Sequence, residues 1–234
     1  MLQRIANGLS RAARAPVNAV SLLRCMRDMR NLDGNSSIKD LANFCNNYAI
    51  RPQQVSEELV RLYEIVSEVP PKAALEIGTY TGGTLFMTCR VADPGGMVIS
   101  VDLPGGRFGG GYAWPRMFVY SQFAKKGQVL HLLRKNSHNS DTFNCVHSLL
   151  RQGQLDFLFI DGDHTYDGVR KDFEMYAPLV RNGGIVAFHD ITKHPPQMEC
   201  EVERFWNEIK ESYRYEEIVK DCEQGWAGIG VLYV

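Results

Sequence analysis

The 234-residue chain has no excess of charge, no closely spaced cysteine pair and no long apolar run, and each absence removes a class of function. A formal net charge of −1 leaves no general surplus of cations for a phosphate backbone, so no nucleic-acid partner is expected. The six cysteines (Cys25, Cys45, Cys89, Cys145, Cys200, Cys222) form no C-x-x-C pair, which argues against a zinc ribbon or a disulfide framework and for a reducing, cytoplasmic setting. No stretch approaches the roughly 18 apolar residues of a membrane span. What is present is 44% hydrophobic residue content, enough for one sizeable core, with neither an internal repeat nor a second domain.

Two segments carry most of the functional information. Ala74-Leu75-Glu76-Ile77 is a buried-type strand that runs into Gly78-Thr79-Tyr80-Thr81-Gly82-Gly83, and Phe157-Leu158-Phe159-Ile160 runs into Asp161-Gly162-Asp163-His164, with Phe188-His189-Asp190 following later. In an open parallel sheet the ligand crevice lies at the carboxyl ends of the strands, so these residues are expected to converge on one cleft. The glycine turn lets backbone N–H groups approach a ligand at a helix N-terminus. Its spacing is not G-x-G-x-x-G, and no Lys-Ser or Lys-Thr follows it, so neither a dinucleotide fingerprint nor a phosphate-binding P-loop is indicated. A further strand, Met97 to Val101, ends at Asp102, which reads either as a helix cap or as an acceptor for both hydroxyls of a ribose; the preceding glycine turn favours the ribose.

With these residues in place the chain resembles the class I S-adenosylmethionine-dependent methyltransferases. Within them it is similar to the small-molecule O-methyltransferase group that includes macrocin-type and cephalosporin-hydroxylase-related proteins. The resemblance runs from about Ile38 to the C-terminus. It implies cofactor binding by Glu76, Gly78, Thr79, Gly82, Asp102, Asn136, Ser137 and Asp161, with Asn136 standing where related enzymes often carry an acid facing the adenine. It also implies a divalent cation, magnesium or manganese, held by Asp161, His189 and Asp190, with His164 at the general-base position and Asp161 sharing in catalysis. Where metal-dependent relatives have an acid followed by Asp, this chain has His189-Asp190. An imidazole there removes one negative charge, shifts preference toward softer metals and offers a second candidate base. A structural hydrogen bond is the ordinary role of a lone strand-end histidine; two neighbouring carboxylates favour the functional one. Asp163 is read as a helix cap or as a support for His164, and His131, His138, His147 and His194 are expected to lie outside the site.

The expected architecture is a doubly wound, mostly parallel seven-stranded sheet, the Rossmann-like methyltransferase fold. Its strands are placed near 73–77, 97–101, 128–132, 155–160 and 184–188, closed by an antiparallel pair at 213–219 and 228–234. Residues 37–234 form the methyltransferase domain, with helices near 38–47, 52–67 and 199–212. Residues 1–36 form a basic arm that carries Arg4, Arg11, Arg14, Arg24, Arg27 and Arg30. Its composition also suits a transit peptide or a membrane-surface helix; a contact between copies in a homo-oligomer is favoured. The glycine-rich stretch from Leu103 to Pro115 is expected to be a lid in which Phe108, Tyr112 and Trp114 cover the acceptor or the adenine, the alternative being a disordered surface loop. The function expected is S-adenosylmethionine-dependent O-methylation of a small sugar, polyketide or phenolic acceptor. The alternatives are a metal-independent or N-directed methyltransferase and a non-catalytic S-adenosylmethionine-binding protein.

Overall fold

Each apolar run that stops at a polar residue becomes an inner strand of one sheet. The computed structural model describes residues 19–32, 36–108, 110–112 and 114–234. The strands are β1 (Ala73–Ile77), β2 (Met97–Val101), β3 (Val129–Leu133), β4 (Leu155–Ile160), β5 (Val180–His189), β6 (Arg214–Ile218) and β7 (Ile229–Tyr233), in the order β3-β2-β1-β4-β5-β7-β6. The ladders from β3 through β5 are parallel, and β7 pairs antiparallel with both β5 and β6. This is the expected sheet. β1 is buried along its whole length, as a strand covered on both faces must be.

The helices are α1 (Ala19–Met29), α2 (Ile38–Asn46), α3 (Ser56–Glu68), α4 (Gly83–Val91), α5 (Trp114–Tyr120), α6 (Ser140–Leu150), α7 (Tyr166–Tyr176) and α8 (Val202–Ile209). One face of the sheet packs against α1 to α5 through residues such as Leu22, Phe44, Leu62, Phe86 and Tyr120. The other face packs against α6 to α8 through Val146, Tyr176 and Trp206. α4 is buried on nearly every side because it lies between the sheet and the N-terminal helices, which explains why it reads as apolar all round. Within the expected basic arm, residues 1–18 lie outside the described residues, while α1 buries Leu22, Cys25 and Met29 in the first core.

Several boundaries differ from the expected ones, among them α8, which spans Val202–Ile209 within the expected 199–212. α2 starts where expected because Ser37 and Asp40 form a reciprocal capping box. α3 starts at Ser56 rather than near 52, since Pro52 to Val55 continue as a loop across the glycine turn; Ile50 O and the Pro52 ring close off the space beside Gly83. β3 is displaced by one residue. β5 begins four residues early, at Val180, which pairs with Leu155 before an irregularity brings Ile185 opposite Phe157.

Opposite the functional edge, Asp156 fastens the sheet. Its carboxylate accepts from Lys72 N at 2.7 Å, Ala73 N at 2.9 Å and Arg181 Nε at 2.6 Å. The buried Glu58 of α3 does the same for the β6–β7 connection, accepting from Lys220 N, Gln224 Nε2 and Gly228 N at 3.0, 2.8 and 3.0 Å. Among the described residues no helix is long and apolar enough to cross a membrane.

Candidate active site

The carboxyl ends of β1 and β2 form one half of the cleft, built largely from backbone. Gly78 and Gly82 both have φ of +91°, a region that side chains avoid. A Cβ on Gly78 would stand 1.9 Å from Asp161 O, and one on Gly82 would stand 2.5 Å from the Tyr120 ring. Only glycine lets β1 turn this close to β4. Asp102 gathers the loop ends: Oδ2 accepts from Thr79 N at 3.2 Å and Tyr80 N at 2.7 Å, and Oδ1 accepts from Gly111 N at 2.7 Å. Burial raises its pKa, and the backbone donors only partly offset the rise.

Beneath this turn Glu76 is fully buried beside Thr79 and Thr84, and among the described residues neither carboxyl oxygen has a partner in good hydrogen-bond geometry. Burial pushes its pKa up to about 8. Thr79 Oγ1 pairs with Ser100 Oγ at 2.6 Å. Asn136 and Ser137 lie in the loop after β3, Asn136 Oδ1 accepting from His138 N at 2.8 Å and the Ser137 backbone O accepting from the Tyr176 hydroxyl at 2.8 Å.

The ends of β4 and β5 form the other half, built from side chains. His189 Nδ1 lies 3.2 Å from Asp161 Oδ1 and 3.2 Å from Asp190 Oδ1. His164 spans the same two acids, with Nδ1 3.0 Å from Asp190 Oδ2 and Nε2 3.5 Å from Asp161 Oδ1. Asp190 has φ of +66°, a left-handed conformation that Asp tolerates better than most residues, held by Ile191 N to Gly228 O and Thr192 N to Ala227 O. Asp163 supports the cap of α7: its Oδ1 accepts from Thr165 N and Thr165 Oγ1, and Thr165 in turn accepts from Gly168 N.

The electrostatics follow from two carboxylates shared among imidazoles. Burial disfavours charge on every member, yet the mutual attraction outweighs it. Asp161 is held below the usual carboxylate range by His189 and His164, and Asp190 well below it by His189, His164 and His194. The pKa of His189 is raised to about 10 by Asp190 and Asp161, and that of His164 is raised well above its ordinary value by hydrogen bonds to the same acids.

Three participants were not expected. His194, assigned to the surroundings on sequence, is buried in the cluster with Nε2 3.1 Å from Asp190 Oδ1 and Nδ1 2.8 Å from Thr192 O. Its position four residues after Asp190, just before Pro195-Pro196, was the available signal. Cys200 interacts with both His164 and His194; burial raises its pKa, but those two contacts bring it below the ordinary thiol value. Gln54, from the loop before α3, donates Nε2 to Asp161 Oδ2 at 2.6 Å, and nothing in its sequence neighbourhood marked it.

The glycine-rich segment closes over both halves. Besides the Gly111 contact with Asp102, Phe108 stacks on His164 with centroids 4.8 Å apart and planes 8° from parallel, and Arg107 pairs with Glu199. Tyr112 is buried against Tyr120. The side chain of Trp114 lies outside the described residues.

Residues 75–191 match the family described as a methyltransferase domain. The chain belongs to that family. Similar curated proteins include the flavonoid 3',5'-methyltransferase of Vitis vinifera, 29% identical over 124 residues, covering 50% of this chain and 46% of that protein. Tapetum-specific methyltransferase 1 of Arabidopsis thaliana is 28% identical over 134 residues, covering 56% and 52% respectively. The matched stretches span between 14% and 52% of the length of the curated relatives. Among solved structures, the O-methyltransferase from Bacillus cereus in complex with SAH superposes with a TM-score of 0.56 at 16% identity, covering 86% of this chain and 91% of that one. The sheet order and flanking helices are therefore those of the Rossmann-like methyltransferase fold.

Proposed function

We propose that this methyltransferase-domain protein transfers a methyl group from S-adenosylmethionine to a hydroxyl of a small metabolite, a sugar, polyketide or phenol. The observation that carries the reading is the direct abutment of the two half-sites, in which the glycine turn touches the Asp161 backbone so closely that no Cβ fits between them. The residues present suit the cofactor. Glu76 offers buried acceptor oxygens beside Thr79 and Thr84 that have no well-aligned donor among the described residues, Gly78 and Gly82 leave the backbone bare, and Asp102 Oδ1 keeps one lone pair beside its bond to Gly111. When bound, S-adenosylmethionine supplies a methyl carbon on a positively charged sulfur, open to in-line attack by an oxygen held close to it.

Asp161, Asp190 and His189 converge tightly enough to hold a divalent cation. Two hard oxygen donors favour magnesium or manganese, while the imidazole extends the choice to softer ions. Such a cation lowers the pKa of a coordinated hydroxyl. His164 is the residue we assign to remove the acceptor's proton. It accepts a proton only when neutral; hydrogen bonds to Asp161 and Asp190 raise its pKa above the ordinary histidine value, and a cation drawing on those carboxylates would weaken that effect. Phe108 fixes the plane of the ring and keeps water from one face.

The test is methyl transfer from labelled S-adenosylmethionine to a panel of hydroxylated acceptors, run with and without chelator. Labelled product that is lost on chelation and restored by magnesium or manganese supports the full reading. Full activity in excess chelator rejects the metal role alone. Binding of NAD without binding of S-adenosylmethionine rejects the assignment. The exposed Val20 and Leu23 of α1 support a contact between copies, which sedimentation of a Val20→Ser/Leu23→Ser double variant tests by its loss of the larger species.

A further inference from the structure

Asp190 turns its two oxygens in different directions. Oδ1 faces His189 and His194, at 3.2 and 3.1 Å, whereas Oδ2 faces His164 Nδ1 at 3.0 Å. The thiol of Cys200 completes a second group of ligating atoms, and His164, Asp190 and Cys200 each present one within 4.8 Å of the others. We propose that these three residues form a second cation site, for a thiophilic divalent ion such as zinc, distinct from the Asp161, His189 and Asp190 site and joined to it through Asp190.

The donor set decides the class of ion. One sulfur, one imidazole nitrogen and one carboxylate oxygen are the ligands of zinc or cobalt, and magnesium does not take thiolate. In a tetrahedral zinc site, metal–ligand bonds of about 2.0–2.3 Å put ligand atoms roughly 3.3–3.8 Å apart, so the group closes around an ion with small side-chain adjustments. Three protein ligands leave the fourth position to solvent. Supporting residues are in place: His194 holds Asp190 from the other side and is itself fixed to Thr192 O, and it also contacts Cys200. An entry path is present as well. A cleft of about 390 Å³, lined by Arg107, Thr165, Pro196, Glu199, Cys200 and Glu201, reaches Cys200 from the surface.

Occupancy of this site has a consequence that rests on the proposed proton-abstracting role of His164. One ring nitrogen would be committed to the ion and the other would carry the ring proton, leaving no free nitrogen to accept another. The second site is therefore inhibitory.

Cobalt is the probe for binding, because thiolate ligation produces a near-ultraviolet sulfur-to-cobalt charge-transfer band without any need for turnover. The band is expected in the wild-type protein and in His189→Gln, and is expected to vanish in Cys200→Ser. His194→Ala should weaken cobalt binding by about 10–100-fold, as loss of an orienting partner does. A wild-type protein without the band, or a Cys200→Ser protein that keeps it, overturns the site. Should Cys200→Ser fold poorly, alkylation of Cys200 in the wild-type protein decides instead: zinc should slow it at least tenfold, and His164→Asn should remove the protection. Alkylation unaffected by zinc overturns the proposal. The inhibitory arm is read separately, as an increase of at least tenfold in the zinc concentration that halves methyl transfer in Cys200→Ser. Equal sensitivity overturns inhibition through this site, whereas absence of methyl transfer under every condition rejects the methyltransferase reading and leaves the cobalt result standing.

Discussion

The two halves of the cleft are made of different material. At the ends of β1 and β2 the surface is backbone, set by glycines with positive φ and gathered by the single carboxylate of Asp102. At the ends of β4 and β5 it is side chain, with Asp161, His164, His189, Asp190 and His194 sharing one network of charge. The first half is vulnerable to added atoms and the second to removed ones. Substitutions on the first side should therefore appear mainly in folding and cofactor affinity, and on the second mainly in rate and metal binding.

The largest effect is expected from His164→Ala. Loss of a general base should reduce the chemical rate by about 10²–10⁴-fold in single-turnover measurements, with cofactor affinity unchanged. A variant as fast as wild type would remove His164 from the reaction and return the role to another group. Gly78→Ala tests the opposite side. A methyl placed 1.9 Å from Asp161 O, on a backbone at φ +91°, combines overpacking with left-handed strain and should cost about 2–5 kcal/mol in urea unfolding. An unchanged midpoint would break the contrast between the halves.

Asp102→Ala is the informative exception, a side-chain deletion in the backbone-built half. It should weaken S-adenosylmethionine binding by about 1.5–3 kcal/mol in calorimetry, as expected when a hydrogen bond to a charged group is lost. Unaltered affinity would leave Asp102 as a loop fastener only. The smallest effect concerns His138, whose Nε2 lies 3.3 Å from Asp172 Oδ1, a carboxylate with no exposed surface. The contact with Asp172 raises the His138 pKa above its ordinary value, against the opposing effect of burial. The stability it adds is fully present below about pH 6.5, the unfolded-state value. It is lost as pH rises through the higher folded-state value. His138→Gln should therefore destabilise the protein by at most about 1 kcal/mol at pH 5.5 and by less at pH 8.5. A penalty that grows with pH would contradict the pairing.

The same division governs what could be read before the fold was known. The backbone-built half is contiguous, and Glu76 to Gly83 carry their geometry in their spacing because glycine at a fixed offset has a steric meaning. The inner strands were legible for a similar reason, as each apolar run stops at the residue that faces the cleft. Asp161, His164, His189 and Asp190 could be placed because they directly follow or end such runs. Gln54 could not, since it reaches Asp161 across 107 positions from a loop with no pattern of its own. His194 and Cys200 depend on a reversal of the chain after β5, made by Pro195-Pro196, a short 3₁₀ turn and a left-handed Glu199. No periodicity encodes that reversal. Asn136 was marked by its offset after β3, and its side-chain oxygen accepts from His138 N in the turn there.

The segment after β2 ties the two halves together in time. Gly111 is fastened to the acid assigned to the ribose, Phe108 lies on the histidine assigned to the acceptor, and Arg107 is clasped to Glu199 on the far rim. Only two residues separate Phe108 from the anchored Gly111 in the sequence, so one of these contacts cannot be moved far without disturbing the other. Loading and unloading of both compartments then share a single opening event. The spent nucleoside and the methylated product should therefore leave in the same kinetic phase, which pre-steady-state release measurements on both products would check.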